Sequence, residues 1–168
     1  HAELLVNMIS DSAKALAEHE VNLTRIELGD APATHLWPWG QGRKPDMPSF
    51  EERFDTTGAM ITAVDLLAGI GSFIGFDRLD VPGQTSYHDT DYQAAGTHAI
   101  AALERYDLVT VHIEAPDEAA HAGDPATKVA SLEAIDRDII SPLHKALDER
   151  DEPWRMLIMP DHYTRCDT

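Results

Sequence analysis

Apolar residues recur every three or four positions near the start of the chain, where Leu4, Leu5, Met8, Ile9, Ala13 and Leu16 fall broadly on one side of a helix over residues 2–18. The same spacing returns between Ala126 and Glu149, through Val129, Leu132, Ile135, Ile139, Leu143 and Leu147. Pro142 lies inside this second pattern and lacks an amide donor, so a kink or interruption is expected there. Between the two helical stretches the pattern changes to short apolar runs. Ala59–Val64, Leu108–Ile113 and Trp154–Met159 read as buried strands, and His35–Trp39 as a shorter one. Short helices are expected over Pro48–Arg53, Asp65–Ile74 and Asp91–Glu104, the second weakened by Gly69 and Gly71. Asp80-Val81-Pro82-Gly83 marks a strand end and a turn. Strands alternating with helices predict an α/β fold, a mostly parallel sheet with helices on both faces.

The weakest join is the Pro- and Gly-rich stretch from residue 30 to 46. Residues 1–34 read as the end of an inserted lobe and residues 35–168 as a core. The length of 168 residues is one domain's worth of chain, and a hydrophobic share of 43% suffices for a core. No apolar run approaches the roughly 18–20 residues of a membrane span. The first residues lack the basic start and apolar centre of a signal peptide, and His1 is not an initiator methionine, which suggests a processed or partial chain.

Charge narrows the function classes. Acids outnumber bases 30 to 13, a formal charge of -17. That disfavours nucleic acid and anionic membrane as partners, both of which call for a basic surface. It would also repel a phosphate ester unless metal ions and a few local cations reverse the field. A salt-adapted acidic surface accounts for the charge equally well. The single cysteine, Cys166, rules out an internal disulfide, reads as an ordinary thiol, and fits a cytoplasmic location.

The candidate chemistry follows two of the strand-like runs. Asp117 and His121 come after the strand at 108–113, and Asp161 and His162 come directly after the run at 154–159. Ligands of open α/β sheets bind at the carboxyl ends of the strands, so the two acid/histidine pairs predict one shared site. Carboxylate with imidazole suits Mn, Zn or Fe better than Ca. Glu118 and Asp124 read as outer or solvated groups and His112 as a packed histidine. The polar loop Gly83–Asp91 could line a phosphate pocket at a helix start, or Asp89 or Thr90 could simply cap that helix. Ser86 lies in this loop without a nucleophile motif. Arg25, Arg43, Lys44, Lys128 and Arg165 are the candidate anion-contacting cations, although any single one of them reads as a solvated surface residue first. Trp37 and Trp39 read as packing groups before substrate platforms.

Taken together these segments resemble the archaeal-type, cofactor-independent phosphoglycerate mutases of the alkaline phosphatase superfamily. The resemblance rests on Asn22-Leu23-Thr24-Arg25, on Trp37-Pro38-Trp39-Gly40-Gln41-Gly42, on Val81-Pro82-Gly83 through Asp89-Thr90-Asp91-Tyr92, on His112 through Asp117-Glu118-Ala119-Ala120-His121, and on Asp161-His162. It covers at least residues 20–168. It implies an alkaline-phosphatase-like fold and two divalent metals, Mn foremost, with Zn or Mg as alternatives. Asp117 and His121 would hold one metal and Asp161 and His162 the other. It implies interconversion of 3-phosphoglycerate and 2-phosphoglycerate through a phosphoserine, with Arg25, Arg43, Thr85, Asp89 and Lys128 as candidate substrate contacts. No counterpart of the family's nucleophilic serine, its neighbouring metal-binding aspartate or its further metal-binding histidine is recognised here, and Ala120 stands where the family has glycine. The chain therefore reads as an internal-to-late piece of a longer enzyme, inactive alone. A metal-dependent phosphatase or other phosphotransferase, and a non-catalytic fragment or subunit, are the alternatives.

Overall fold

The computed structural model describes residues 2–40 and 42–167. Gln41, part of the tryptophan-rich segment, lies outside the described residues. The chain divides into two compact units, His1–Pro45 and Asp46–Thr168.

The first unit is a pair of helices, α1 (Ala2–Ala17) and α2 (Glu20–Leu28), followed by an extended segment. The His19 ring accepts the Val21 amide at the start of α2, and Gly29, at a φ of 84°, closes it in the left-handed region that favours glycine. Buried Asn22 is the organiser of this unit. Its amide nitrogen donates to the carbonyls of Leu16 (2.7 Å) and Ala33 (2.8 Å), and its oxygen accepts from the Ala33 amide at 2.9 Å. Arg25 Nε donates to the Ala31 carbonyl at 2.8 Å. The Asn22–Arg25 motif thus folds the chain back after α2. The strand expected over His35–Trp39 is not formed. A strand needs a ladder partner, but among the described residues the backbone of this segment bonds from Leu36 N–H to Ser12 Oγ at 2.8 Å and to no strand, and Pro38 has no donor. Trp37 and Trp39 stand 73% and 88% exposed rather than packed.

The second unit begins with α3 (Phe50–Phe54), which Ser49 and Glu52 close with a reciprocal capping box. There follow β1 (Gly58–Ile61), α4 (Asp65–Phe73), β2 (Asp77–Arg78), α5 (Tyr92–Ala102), β3 (Leu108–Val111), α6 (Ala115–His121), α7 (Pro125–Ile135), a π turn (Asp136–Ile140) and α8 (Ser141–Asp148). The sheet order is β2-β1-β3 and both pairings are parallel, Ala59 facing Asp77 on one side and Val109 on the other. Central β1 is buried along its whole length, as a strand covered on both faces must be. Successive side chains alternate between faces. Met60 meets α4 at Gly71, whereas Ile61 joins Val81, Tyr92, Ala95, Ala99, Ala115, Ala134 and Ile139 in the main core. Helices therefore cover both faces, as the sequence pattern predicts.

Pro142 does not break the long helix. The preceding turn widens instead, with the Ser141 amide bonding to the Asp136 carbonyl, five residues back. The Asp138 carbonyl, which Pro142 leaves without its α-helical partner, lies against Gly96 of α5. A Cβ on Gly96 would stand 2.3 Å from that oxygen, so only glycine allows the two helices this close.

The strand expected over Trp154–Met159 is also absent. These residues pair with no strand among the described residues, and Leu157, Ile158 and Met159 are 82%, 62% and 65% exposed. An apolar run becomes a buried strand only beside a neighbour, and β3, at the sheet edge, pairs solely with β1. Leu108 N–H and His112 N–H bond to the Thr57 and Ile61 carbonyls. The intervening Val109 and Val111 therefore turn their backbone groups to the open edge. No described helix is long and apolar enough to cross a membrane.

Candidate metal site

Asp117 and His121 lie one turn apart on α6. Pro116 presets the first turn, and the acids Asp117 and Glu118 face the positive end of the helix. Ala115 and Ala119 bury the face opposite Asp117, which fixes the roll of α6 and leaves His121 at the surface with Asp117 beside it. His121 Nε2 is 3.3 Å from Asp117 Oδ2. Asp117 is largely buried and His121 largely exposed.

Asp161 and His162 lie on the extended segment that follows α8, at a bend. Asp161 Oδ1 accepts the His162 amide at 2.8 Å, and its Oδ2 is 3.4 Å from His162 Nε2. Both side chains are exposed.

A residue outside the predicted set joins the two pairs. The Thr164 hydroxyl donates to Asp117 Oδ1, and the same oxygen is 3.2 Å from His162 Nδ1. The segment is tied down here by Lys128, whose Nζ donates to the Thr164 carbonyl at 2.7 Å. The Cys166 carbonyl packs beside Gly123. The four candidate ligands thus form one contiguous set running Asp161, His162, Thr164, Asp117, His121, hydrogen-bonded as far as Asp117 and joined to His121 by a charge contact.

The donor chemistry fits divalent metal. Donors sharing a tetrahedral ion at roughly 2.0–2.2 Å stand about 3.3–3.6 Å apart, and the two acid/histidine separations are 3.3 and 3.4 Å. The hydrogen bonds point the same way. Thr164 spends its only proton on Asp117, so a neutral His162 must donate through Nδ1. Its Nε2 lone pair then faces the Asp161 carboxylate, a juxtaposition relieved by a cation between them.

Around this set lie groups of other kinds. Glu114, Asp117 and Glu118 each offer a carboxylate oxygen, all within 4.8 Å of one another. Asp124 caps α7 by accepting from the Thr127 amide (2.9 Å) and hydroxyl (2.6 Å), and these bonds hold its carboxyl below the usual range. His112 is packed, as expected, between Thr62 and Glu114. At the carboxyl ends of β1 and β2 a cavity of about 240 Å³ is lined by Thr62, Arg78, Gln84, Thr85 and Ser86, among others. Gln84 Nε2 is buried there without a partner. Thr85 Oγ1 donates to Asp89 Oδ1 at 2.7 Å. Neither Asp89 nor Thr90 caps α5: the cap is Asp91, which accepts from the Ala94 amide. Arg25 and Arg43 belong to the first unit.

Thr164 and Glu114 stand outside the candidate set that the sequence pattern singles out. The only signal for Thr164 is its place two residues after His162, on the same side of an extended chain. Glu114 lies within the His112–His121 motif that carries the resemblance, but its position there does not set it apart from its neighbours.

A family model described as the metalloenzyme superfamily matches residues 6–168. The chain belongs to the metalloenzyme superfamily. Within it, this chain is 47% identical over 163 residues to the 2,3-bisphosphoglycerate-independent phosphoglycerate mutase 2 of Methanothermobacter thermautotrophicus, covering 97% of this chain and 40% of that protein. It is 44% identical to the corresponding mutase of Methanothrix thermoacetophila, covering 97% of this chain and 42% of that one. This metalloenzyme chain therefore spans about 40% of the length of the curated relatives it matches. Among solved structures it resembles the PH0037 protein of Pyrococcus horikoshii, with a TM-score of 0.75 and 27% identity over 89% of this chain and 39% of that one. It also resembles the cofactor-independent phosphoglycerate mutase of Thermoplasma acidophilum, with a TM-score of 0.52 and 27% identity over 85% of this chain and 36% of that one. The fold is the alkaline-phosphatase-like α/β arrangement that the sequence motifs implied.

Proposed function

We propose that this chain is the late, metal-holding part of a longer 2,3-bisphosphoglycerate-independent phosphoglycerate mutase, which interconverts 3-phosphoglycerate and 2-phosphoglycerate in the cytoplasm. One observation carries the reading. In a chain 47% identical to a protein named for that activity, Thr164 links two acid/histidine pairs into one set of donors. Residues 1–34 are read as the end of an inserted lobe of the longer protein.

Asp117 and His121 would hold one divalent ion and Asp161 and His162 a second, with Mn foremost on this mixed oxygen and nitrogen donor set. Such ions, when bound, act as Lewis acids toward phosphoryl oxygens and lower the pKa of an attacking hydroxyl. The residues of this chain supply the rest. Thr164 fixes Asp117 and His162 against each other. Lys128 holds the Thr164 backbone in place and brings a positive charge to a strongly acidic chain. Thr85 and Asp89 stand beside the polar cavity at the same sheet edge, and with Arg25 and Arg43 they remain the proposed substrate contacts. The phosphoryl-accepting serine is assigned to sequence outside these 168 residues, which makes the isolated chain inactive.

The test is a coupled mutase assay on the full-length protein with saturating Mn, alongside a melting curve. Asp161→Asn keeps the side-chain size and loses the negative charge, so turnover should vanish while the melting temperature changes little. Wild-type turnover in Asp161→Asn would refute the assignment. Release of inorganic phosphate without isomerisation would make the protein a phosphatase on the same scaffold. Robust turnover by the isolated chain would place the nucleophile within it, with Ser86 the first residue to test.

A further inference from the structure

Two rows of backbone groups in the second unit lack partners. On β3, Leu108 and His112 donate to the Thr57 and Ile61 carbonyls of the β1 side, so Val109 and Val111 present their groups to the open edge. Along Trp154–Met159 no backbone group is bonded among the described residues. That second row is also apolar on both sides. Leu157 and Ile158, neighbours that point opposite ways on an extended chain, are 82% and 62% exposed. Apolar side chains on both faces mark a strand that helices cover from both sides.

The direction of the second row is fixed at both ends. Before it, Arg150 donates to the Leu103 carbonyl at 3.1 Å and pairs with Glu104, just ahead of β3 in the chain. Trp154 meets His144 of α8 edge-on, with ring centroids 5.3 Å apart. After it, Thr164 bonds to Asp117 on α6, the helix that follows β3. The segment therefore starts beside the amino end of β3, finishes beside its carboxyl end and runs parallel to it. The stretch from α6 to α8 forms the crossover that parallel strands require. Held in this way one strand spacing from β3, about 4.8 Å, the segment would pair with the free edge. It forms no bond there.

We propose that one strand of the longer protein, from sequence outside these 168 residues, inserts between β3 and Trp154–Met159 and pairs with both. This rests on the reading of the chain as part of a longer protein, which its span of 40% and 42% of two relatives supports. The sheet order becomes β2-β1-β3, the inserted strand, then Trp154–Met159. The inserted strand is central, so its side chains are apolar on both faces. The gap is bounded on both sides by one chain, unlike an exposed edge that a second molecule could join. One end of the inserted strand lies between the two acid/histidine pairs, where sequence outside these residues gains access to the candidate metal site.

The experiment uses the full-length protein. Hydrogen exchange read by mass spectrometry should show the amides of Val109–Val111 and Trp154–Met159 slowed by about a hundredfold or more relative to unstructured chain, as amides inside a sheet are. Unprotected amides in either row would overturn the proposal. Protection that rises with protein concentration would assign the gap to a second molecule and overturn it as well. A disulfide scan then asks what separates the rows. In a Cys166→Ser background, Val111→Cys is combined in turn with Leu157→Cys, Ile158→Cys and Met159→Cys. Across an inserted strand the Cα atoms stand two spacings apart, about 10 Å, beyond the roughly 7 Å limit for a disulfide. No pair should therefore close under mild oxidation. Closure of any pair would mean that the segment pairs with β3 directly, and the proposal would fall. Should these variants not fold, amide–amide Overhauser contacts in the deuterated wild type decide. Both rows should contact one common strand from outside these residues, and contacts between the rows themselves would overturn the proposal. A natural protein whose intact mass matches these 168 residues alone would instead remove the longer-protein reading itself.

Discussion

Gly69 and Gly96 both lie inside helices of the second unit, and the structure predicts opposite outcomes for the same substitution at each. Gly96 sits in the middle of α5 against the π turn, and an alanine Cβ there would stand 2.3 Å from the Asp138 carbonyl oxygen and 3.2 Å from Ile139 Cα. Both are backbone atoms, so no rotamer change relieves the overlap. The helices must move apart by about an ångström, disturbing the packing of Ala95, Ala99 and Ile139. Overpacking of this kind costs about 3 kcal/mol, at the upper end of the usual range. The better helix propensity of alanine returns about 1 kcal/mol, leaving a net loss of about 2 kcal/mol. Gly69 in α4 has nothing within 4 Å of its would-be Cβ, so there only the propensity gain of up to about 1 kcal/mol remains. For a chain of this size that corresponds to a melting temperature lowered by about 4–8 °C in Gly96→Ala and raised by about 2–4 °C in Gly69→Ala. Calorimetry or circular dichroism melts of the two variants beside the wild type provide the assay. A Gly96→Ala variant melting at or above the wild type would refute the close approach of α5 to the π turn.

Thr164→Val removes the hydroxyl that joins the two acid/histidine pairs while keeping the branched shape. Calorimetric Mn titration should show affinity weakened by about tenfold, and unchanged affinity would mean the bridge plays no part in the site. Asp124 gives the pH prediction. The Thr127 hydroxyl and amide lower its folded-state pKa, so its contribution is present above the ordinary aspartate value of about 3.9 and is lost as pH falls through the lowered value. Melting curves at stepped pH should therefore show a shallower acid decline for Asp124→Asn than for the wild type below about pH 4, together with a lower starting stability. Parallel acid declines would refute the assignment.

Most of the second unit was legible because its signals are local. Alternation of apolar strands with capped helices identifies β1, α4, α5 and β3, and the 3.6-residue repeat identifies the long helix through Pro142. The two misread strands share a cause. Apolar character makes Trp154–Met159 and His35–Trp39 look buried, yet a strand also needs a neighbour offering backbone partners, and short-range patterns carry no information about one. The π turn was hidden for a different reason. Proline predicts lost hydrogen bonding but not whether a helix ends or widens, and here widening is accommodated by Gly96, some 40 residues earlier in the chain.

The site shows the same division between local and long-range information. Asp117 and His121 could be placed on one face from their spacing alone, because α6 is helical and a separation of four residues is one turn. Asp161 and His162 had no such guarantee, since adjacent side chains on an extended chain point apart. A bend at these residues brings Asp161 Oδ2 to 3.4 Å from His162 Nε2. Beyond the bend the extended alternation resumes, placing Thr164 on the side of His162 and within reach of Asp117. Lys128 completes the arrangement from α7. Its ammonium is engaged by the Thr164 carbonyl, so its influence on an anionic ligand in this conformation comes through charge and through the segment it holds. The convergence of the two pairs therefore depends on three residues, Thr164, Lys128 and Gly123, that carry no metal-ligand signature of their own.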